Sequence, residues 1–352
     1  MKKTFKVFKI YLILNEYIIL HLIKLIKGIN PFTLFFIASS LIAQESSPIS
    51  KISFNGDFRF RIEQDWNSQK SDGSYREDRT RLRYRIRLGL NYQANNWLSF
   101  GTRIRTGDSK KQQDPHLTLG EGFKEFSGLP ILFEKAYANF EYKWFSGWVG
   151  KNTFPFEKEN ELFWNDNVYP EGVAINGLFF FENDIMQSLK INIGHFISSS
   201  SGTSLSEDSY FQGIQFVASL LKNKVKFYPA IYFFNKMPDV PDGNSTYNID
   251  YSILHIGGNL EIANNPKMKV GLDYYNNFKN LSRNDSIPIN LRNQKQGLVA
   301  YISLGMLKAE GDWALKLTCL HIEKYAVLDY FAQNDWVRWD YSSQNSPDGR
   351  LT

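Results

Sequence analysis

Eight arginines stand at alternate positions in three short stretches: Arg59 and Arg61 in the first, Arg81, Arg83, Arg85 and Arg87 in the second, Arg103 and Arg105 in the third. Ten of the chain's fourteen arginines fall between positions 59 and 105. A guanidinium group stays charged at any ordinary pH and presents a planar fork of donors, so its chemistry is anion recognition and not proton transfer. A spacing of two is the period of a β-strand, on which residues of one parity share a face. Neighbouring strands lie about 4.8 Å apart, so three adjacent strands would merge these side chains into one cationic patch. Two outcomes are open. The patch concentrates anions in a narrow aqueous passage, or it is neutralised by Glu63, Glu134, Glu141 or an inward-folded loop, since guanidinium and carboxylate pair readily.

Other chemistry finds little support. The five histidines, at 21, 116, 195, 255 and 321, show neither HxxxH nor HExxH spacing, and the single Cys319 excludes an intrachain disulfide and a cysteine-rich metal site. His195 lies near Ser198, but no Gly-x-Ser-x-Gly elbow accompanies them. Asp166, Asn167 and Glu171 do not match the spacing of a calcium loop. We therefore expect no catalytic residue, no metal and no cofactor. The net charge of +5 belongs to residues 1–43, where six lysines face Glu16 alone, and the remainder balances. The basic pI of about 8.9 gives no ground for a nucleic-acid partner.

The elements that must position the arginines are strands. From Ile52 the even positions read Ile52, Phe54, Phe58, Phe60 and Ile62 against Ser53, Asp57, Arg59 and Arg61; from Arg81, Leu82, Tyr84, Ile86, Leu88 and Leu90 alternate with the arginines. Further strands are expected near 97–106, 132–143, 147–153, 172–181, 188–197, 210–221, 224–234, 249–262, 267–276, 296–306 and 312–323, thirteen in all. Their connections alternate in length. Short links at 93–96, 144–146, 182–187, 222–223, 263–266 and 307–311 separate long loops at 64–79, 107–131, 154–171, 198–209, 235–248, 277–295 and from 324 onward. Such segregation is the mark of an all-β transmembrane antiparallel up-and-down barrel, with short periplasmic turns and long external loops. A secreted sandwich has no reason to show it, and no fixed repeat suggests a propeller. Tyr92, Trp97, Tyr142, Trp144, Trp148, Tyr274 and Tyr275 gather at strand ends, as interfacial girdles do.

A barrel decides the orientation of the patch. An arginine facing lipid near the midplane costs about 2–4 kcal/mol, so the arginines must face the lumen. Lys135, Asn139 and Glu141 alternate with Ala136, Ala138, Phe140 and Tyr142 and continue that polar inner face. The expected pore-lining set is thus Arg59, Arg61, Arg81, Arg83, Arg85, Arg87, Arg103, Arg105, Lys135 and Glu141. The 107–131 loop, whose KKQQDPHLTLGEGFKEF carries both charge signs, is the expected constriction.

Residues 1–43 read as a signal peptide with a long n-region, cleaved after Ala43; the apolar run from Phe32 to Ala43 is shorter than the roughly 20 residues a membrane-spanning helix needs. Residues 10–27 form a second apolar stretch, either part of that leader or a membrane-surface helix. Residues 44–352 form the barrel domain, which leaves no room for a plug ahead of the first strand.

The segments GDFRFRIEQDW (56–66), DRTRLRYRIRLGL (78–90), WLSFGTRIRTG (97–107), EKAYANFEYKW (134–144) and WNDNVYPEGVAI (164–175) resemble the porins common in Bacteroidetes-type bacteria. The resemblance covers about residues 50–180 well and the rest more thinly. It implies a channel in the cell outer membrane that lets small hydrophilic or anionic solutes diffuse, in contact with outer-membrane lipid and in the homotrimeric state common among porins of this size. It carries no catalytic residue. The alternatives are a structural or docking barrel and a substrate-specific channel. Thirteen strands is an odd number for a bacterial single-chain barrel, and the polar ending PDGRLT departs from the usual aromatic close. We expect a complete barrel of about 14 to 16 strands and a chain truncated at its C-terminus.

Overall fold

Alternation of apolar and polar side chains becomes one continuous antiparallel sheet. The computed structural model describes residues 51–332 except 67–74, 76, 110–111, 121–127, 201, 205, 240–246, 283 and 329–330. Its strands are β1 (Ile52–Asp65), β2 (Arg79–Gln93), β3 (Leu98–Thr106), β4 (Leu117–Thr118), β5 (Ile131–Tyr142), β6 (Phe145–Lys151), β7 (Glu171–Phe180), β8 (Met186–Ser199), β9 (Ser209–Leu220), β10 (Val225–Phe227), β11 (Ala230–Asp239), β12 (Tyr247–Asn264), β13 (Lys267–Asn277), β14 (Gln296–Gly305) and β15 (Ala314–Ile322). Each pairs with its sequence neighbour, apart from two irregularities. The two-residue β4 belongs to a loop and pairs with β2. β10 and β11 are one wall strand interrupted at Tyr228 and Pro229, for both pair with β9 and with β12. Pro229 has no N–H to give to the ladder, and its carbonyl instead accepts from the Phe216 amide at 3.0 Å. Among the described residues the wall therefore has thirteen strand positions, the number the alternation predicts.

Register explains which residues face where. Phe54, Phe58, Phe60 and Ile62 of β1 lie opposite Leu90, Ile86, Tyr84 and Leu82 of β2, and this parity is the outer one: Phe54 and Ile62 are 78% and 70% exposed. In water such a belt would be costly; in a bilayer it is the lipid face. The inner parity carries Arg59 opposite Arg85, Arg61 opposite Arg83 and Asp57 opposite Arg87. Tyr92, Trp97, Tyr142 and Trp144 are exposed, as girdle residues should be. Trp148 and Tyr275 are not girdle residues: both are buried in the interior aromatic cluster, a correction to the sequence reading.

Short turns and long loops segregate to opposite ends, as expected. β1 and β15 both run from the short-turn end to the long-loop end, and among the described residues each pairs with one neighbour only. The expectations for residues 1–43 and for the segment beyond 332 fall outside the described residues.

Candidate functional site

One long loop packs against the inner face of the sheet. The β6–β7 loop, residues 152–170, folds inward and buries Phe154, Phe156, Leu162, Phe163 and Trp164 against Phe196, Phe211, Tyr232, Phe234 and Tyr275 on the inner faces of β8 to β13. The rings stack closely: Phe154 on Trp164 at 4.4 Å, Phe163 on Tyr232 at 4.8 Å, Trp164 on Phe331 at 4.5 Å. Gly194 and Gly213 make the floor under Phe156; a Cβ on Gly213 would lie 2.6 Å from that ring.

Polar contacts pin the loop's tip. Asn160 donates to Asp273 Oδ2 at 2.7 Å, and the other oxygen of that carboxylate lies 2.8 Å from His255 Nε2, with both partners fully buried. Glu159 accepts from Lys269 and Asn259, each at 2.7 Å, and Glu157 pairs with Lys226 at 2.7 Å. Between the tip and β15 lies a cavity of about 480 Å³ lined by Glu157, Glu159, Asn160, Asp166, Lys316 and Thr318. Among the described residues, loop 152–170 packs into the inner aromatic cluster, a role the sequence reading gave to no loop when it placed the constriction at 107–131. The latter still reaches the wall through Asp114 and leans on the former, Tyr169 N donating to Gln112 Oε1 at 3.1 Å.

All eight predicted arginines lie on one inner face, in two groups. Nearer the long-loop end, Glu63 binds Arg83 at 3.1 Å and Arg81 at 3.0 Å and also contacts Arg61. Asp65 binds Arg79 at 2.8 Å, and Asp57 binds Arg85 at 2.5 Å. Asp114 binds Arg83 at 2.6 Å and Arg61 at 3.7 Å. Burial opposes the Asp114 charge, but His116, Arg83 and Arg61 together hold its carboxyl well below the usual carboxylate range. Arg59 has no ion pair among the described residues and is exposed.

The second group centres on Glu134. Its carboxylate meets Arg87 at 2.6 Å, Arg103 at 2.7 Å and Arg105 at 3.3 Å. A β-bulge makes this possible. Between Phe133 and Lys135 the register against β3 shifts, so Glu134 and Lys135 both enter the lumen while Phe133 stays 68% exposed outside. Lys135 donates to Thr153 Oγ1 at 2.5 Å and lies 4.9 Å from the Tyr169 ring centroid. Glu141 shares the inner parity but sits opposite Ser146 at the short-turn end, away from the arginines.

The pairing foreseen with Glu63, Glu134 and an inward loop is therefore present, and that with Glu141 is not among the described ion pairs. It is incomplete. Counting Arg79 and Lys135, ten cations line this wall, and the described ion pairs engage five carboxylates: Asp57, Glu63, Asp65, Asp114 and Glu134. His195 and Ser198 do not address one another; Gln212 donates to His195 Nδ1 at 2.9 Å and Ser198 donates to the Ser209 carbonyl at 3.0 Å. Asp166 pairs with Lys158 and Glu171 with Lys151, so they build no shared site.

No characterised protein matched the chain in sequence. Among solved structures, a Rhodopseudomonas blastica porin triple mutant is 12% identical with a TM-score of 0.45, covering 78% of this chain and 86% of its own. Pseudomonas putida OprB at high pH is 10% identical with a TM-score of 0.46, covering 78% and 76%. Salmonella typhi OmpF in complex with daunomycin is 10% identical with a TM-score of 0.39, covering 77% and 97%. Residues 73–299 match the model of the family described as "Putative porin", and the chain belongs to that family of outer-membrane channels.

Proposed function

We propose that this porin passes small hydrophilic solutes by passive diffusion and favours anions. The observation that carries the reading is on the β1–β5 wall, where the described ion pairs set eight arginines against five carboxylates, and Arg59 and Lys135 have no ion pair among the described residues. A surplus of one sign in a narrow aqueous passage raises the local concentration of the opposite sign. The aromatic packing on the other side supports a passage confined to the arginine side, because the β8–β13 half is occupied by loop 152–170.

The test is the reversal potential of the purified protein in planar bilayers under a salt gradient. Arg59 is the position to reverse, because it is exposed and has no ion pair among the described residues, whereas Arg81, Arg83 and Arg85 are held by carboxylates that a new Glu would repel. Arg59→Glu should shift the preference from anions toward cations. An unchanged reversal potential would remove the selectivity and leave the channel. A leader over residues 1–43 and a homotrimer belong to the same proposal; N-terminal sequencing of the mature protein and native mass measurement in detergent test them.

A further inference from the structure

Among the described ion pairs, the cations around Glu134 share a single carboxylate, on which Arg87, Arg103 and Arg105 all converge. Lys135, beside it at the bulge, has no ion pair among the described residues. The next carboxylate along the wall, Asp57, is engaged by Arg85. Tyr169 does not supply a second negative charge: burial pushes its phenol pKa up, so a neutral hydroxyl accepts from Arg103 Nη2 at 2.5 Å. Uncompensated charge this far from bulk water is costly unless something neutralises it.

The cluster also has an open side. Arg87 and Arg105 lie behind Glu134, with side chains 8% and 1% exposed, whereas Arg103 keeps 21%. Arg103 turns Nε to Glu134 and Nη2 to Tyr169, and Nη1 has no described partner. Lys135 is half-buried beside it, both cations about 5 Å from the same aromatic ring. Arg103 and Lys135 are direct cross-strand partners, and a guanidinium beside an ammonium offers several charged donors to one oxyanion. Bulges recur where a wall must re-aim a side chain at a ligand.

We propose that Arg103 and Lys135, backed by Arg87 and the Tyr169 hydroxyl, form a discrete binding site for a phosphate-class oxyanion inside the passage. The site rests on the reading that the passage conducts anions and adds to it one property, saturation. A diffuse cationic field attracts all anions in proportion to charge; a built site fills.

Inorganic phosphate titrated against the chloride current of the full-length protein in planar bilayers, at constant ionic strength, tests it. Wild type should show a block that saturates. Lys135→Gln and Arg103→Lys should each weaken the apparent phosphate affinity tenfold or more. Neither should abolish the preference for chloride over potassium, since Arg59, Arg61 and Arg81 remain. Lys135 holds no ion pair, so its variant is the one expected to fold as wild type, and an unchanged thermal melt checks this. A block that never saturates, or one that both variants leave unchanged while anion preference persists, overturns the site and spares the selectivity. A wild-type channel with no anion preference overturns the reading beneath it.

Discussion

Replacing Glu134 by glutamine is the sharpest test of how the wall is held together. The substitution keeps shape and one acceptor oxygen and removes only the charge. Glu134 is 2% exposed, and its two oxygens serve Arg87, Arg103 and Arg105 at 2.6, 2.7 and 3.3 Å. Removing one partner of a buried pair costs about 3–5 kcal/mol, because the other charge is stranded. Here three are stranded, but each keeps another acceptor. Arg87 reaches Asn167 Oδ1 at 2.8 Å, Arg103 reaches the Tyr169 hydroxyl, and Arg105 reaches the Thr106 and Asp108 carbonyls at 3.1 and 3.2 Å. Those bonds place the loss near the lower end, about 3 kcal/mol, or roughly two orders of magnitude in the folding equilibrium. The assay is reversible urea unfolding in lipid vesicles, followed by tryptophan fluorescence. Asp184→Asn provides the contrast: its pair with Lys222 spans 3.5 Å between fully exposed side chains and should cost well under 1 kcal/mol. If Glu134→Gln costs no more than Asp184→Asn, the arginines are water-solvated and the argument for a single shared counter-charge fails.

Four further outcomes follow from the same geometry. Leu88→Arg, on the outer face next to Arg87, should destabilise the inserted barrel by about 2–4 kcal/mol in the same unfolding assay. Gly213→Val should push Phe156 off its floor and loosen loop 152–170, seen as larger or noisier single-channel conductance; an unchanged trace would mean that the loop does not bound the passage. Asp273→Ala should have the same effect by releasing Asn160 and stranding His255, and the two changes together should be less than additive because both free one loop. The depressed Asp114 carboxyl stabilises the folded chain above the ordinary carboxylate range, near pH 4, and that contribution is lost only as pH falls through the lower folded value. Protease accessibility of the 107–131 loop in the wild type should therefore be unchanged from pH 7 to about pH 4, whereas Asp114→Asn should expose the loop across that whole range.

The strands were legible in the sequence because lipid on one side and water on the other impose a period of two, plainest in the first two strands and weak at 147–153 and 172–181, where both faces carry apolar residues. Pro229 inside the expected strand at 224–234 already marked the break between β10 and β11. The inward loop was hidden for the opposite reason. A loop that packs inside a barrel owes no period to anything, so Phe154, Phe156, Leu162, Phe163 and Trp164 are irregular in spacing, and charge made 107–131 look the stronger constriction. The usable signal was composition: five large apolar residues in one long connection have no place in water, so that loop had to be covered. Glu134 shows the limit of parity itself. Strict alternation with Ala136 and Ala138 would send its carboxylate into lipid, and the cost of that placement is what the bulge relieves. Lys135 is inside by ordinary parity; the bulge adds Glu134 beside it, and the described ion pairs of that carboxylate go to Arg87, Arg103 and Arg105. Parity locates the arginines; the carboxylate that three of them share is placed by a single extra residue in one strand.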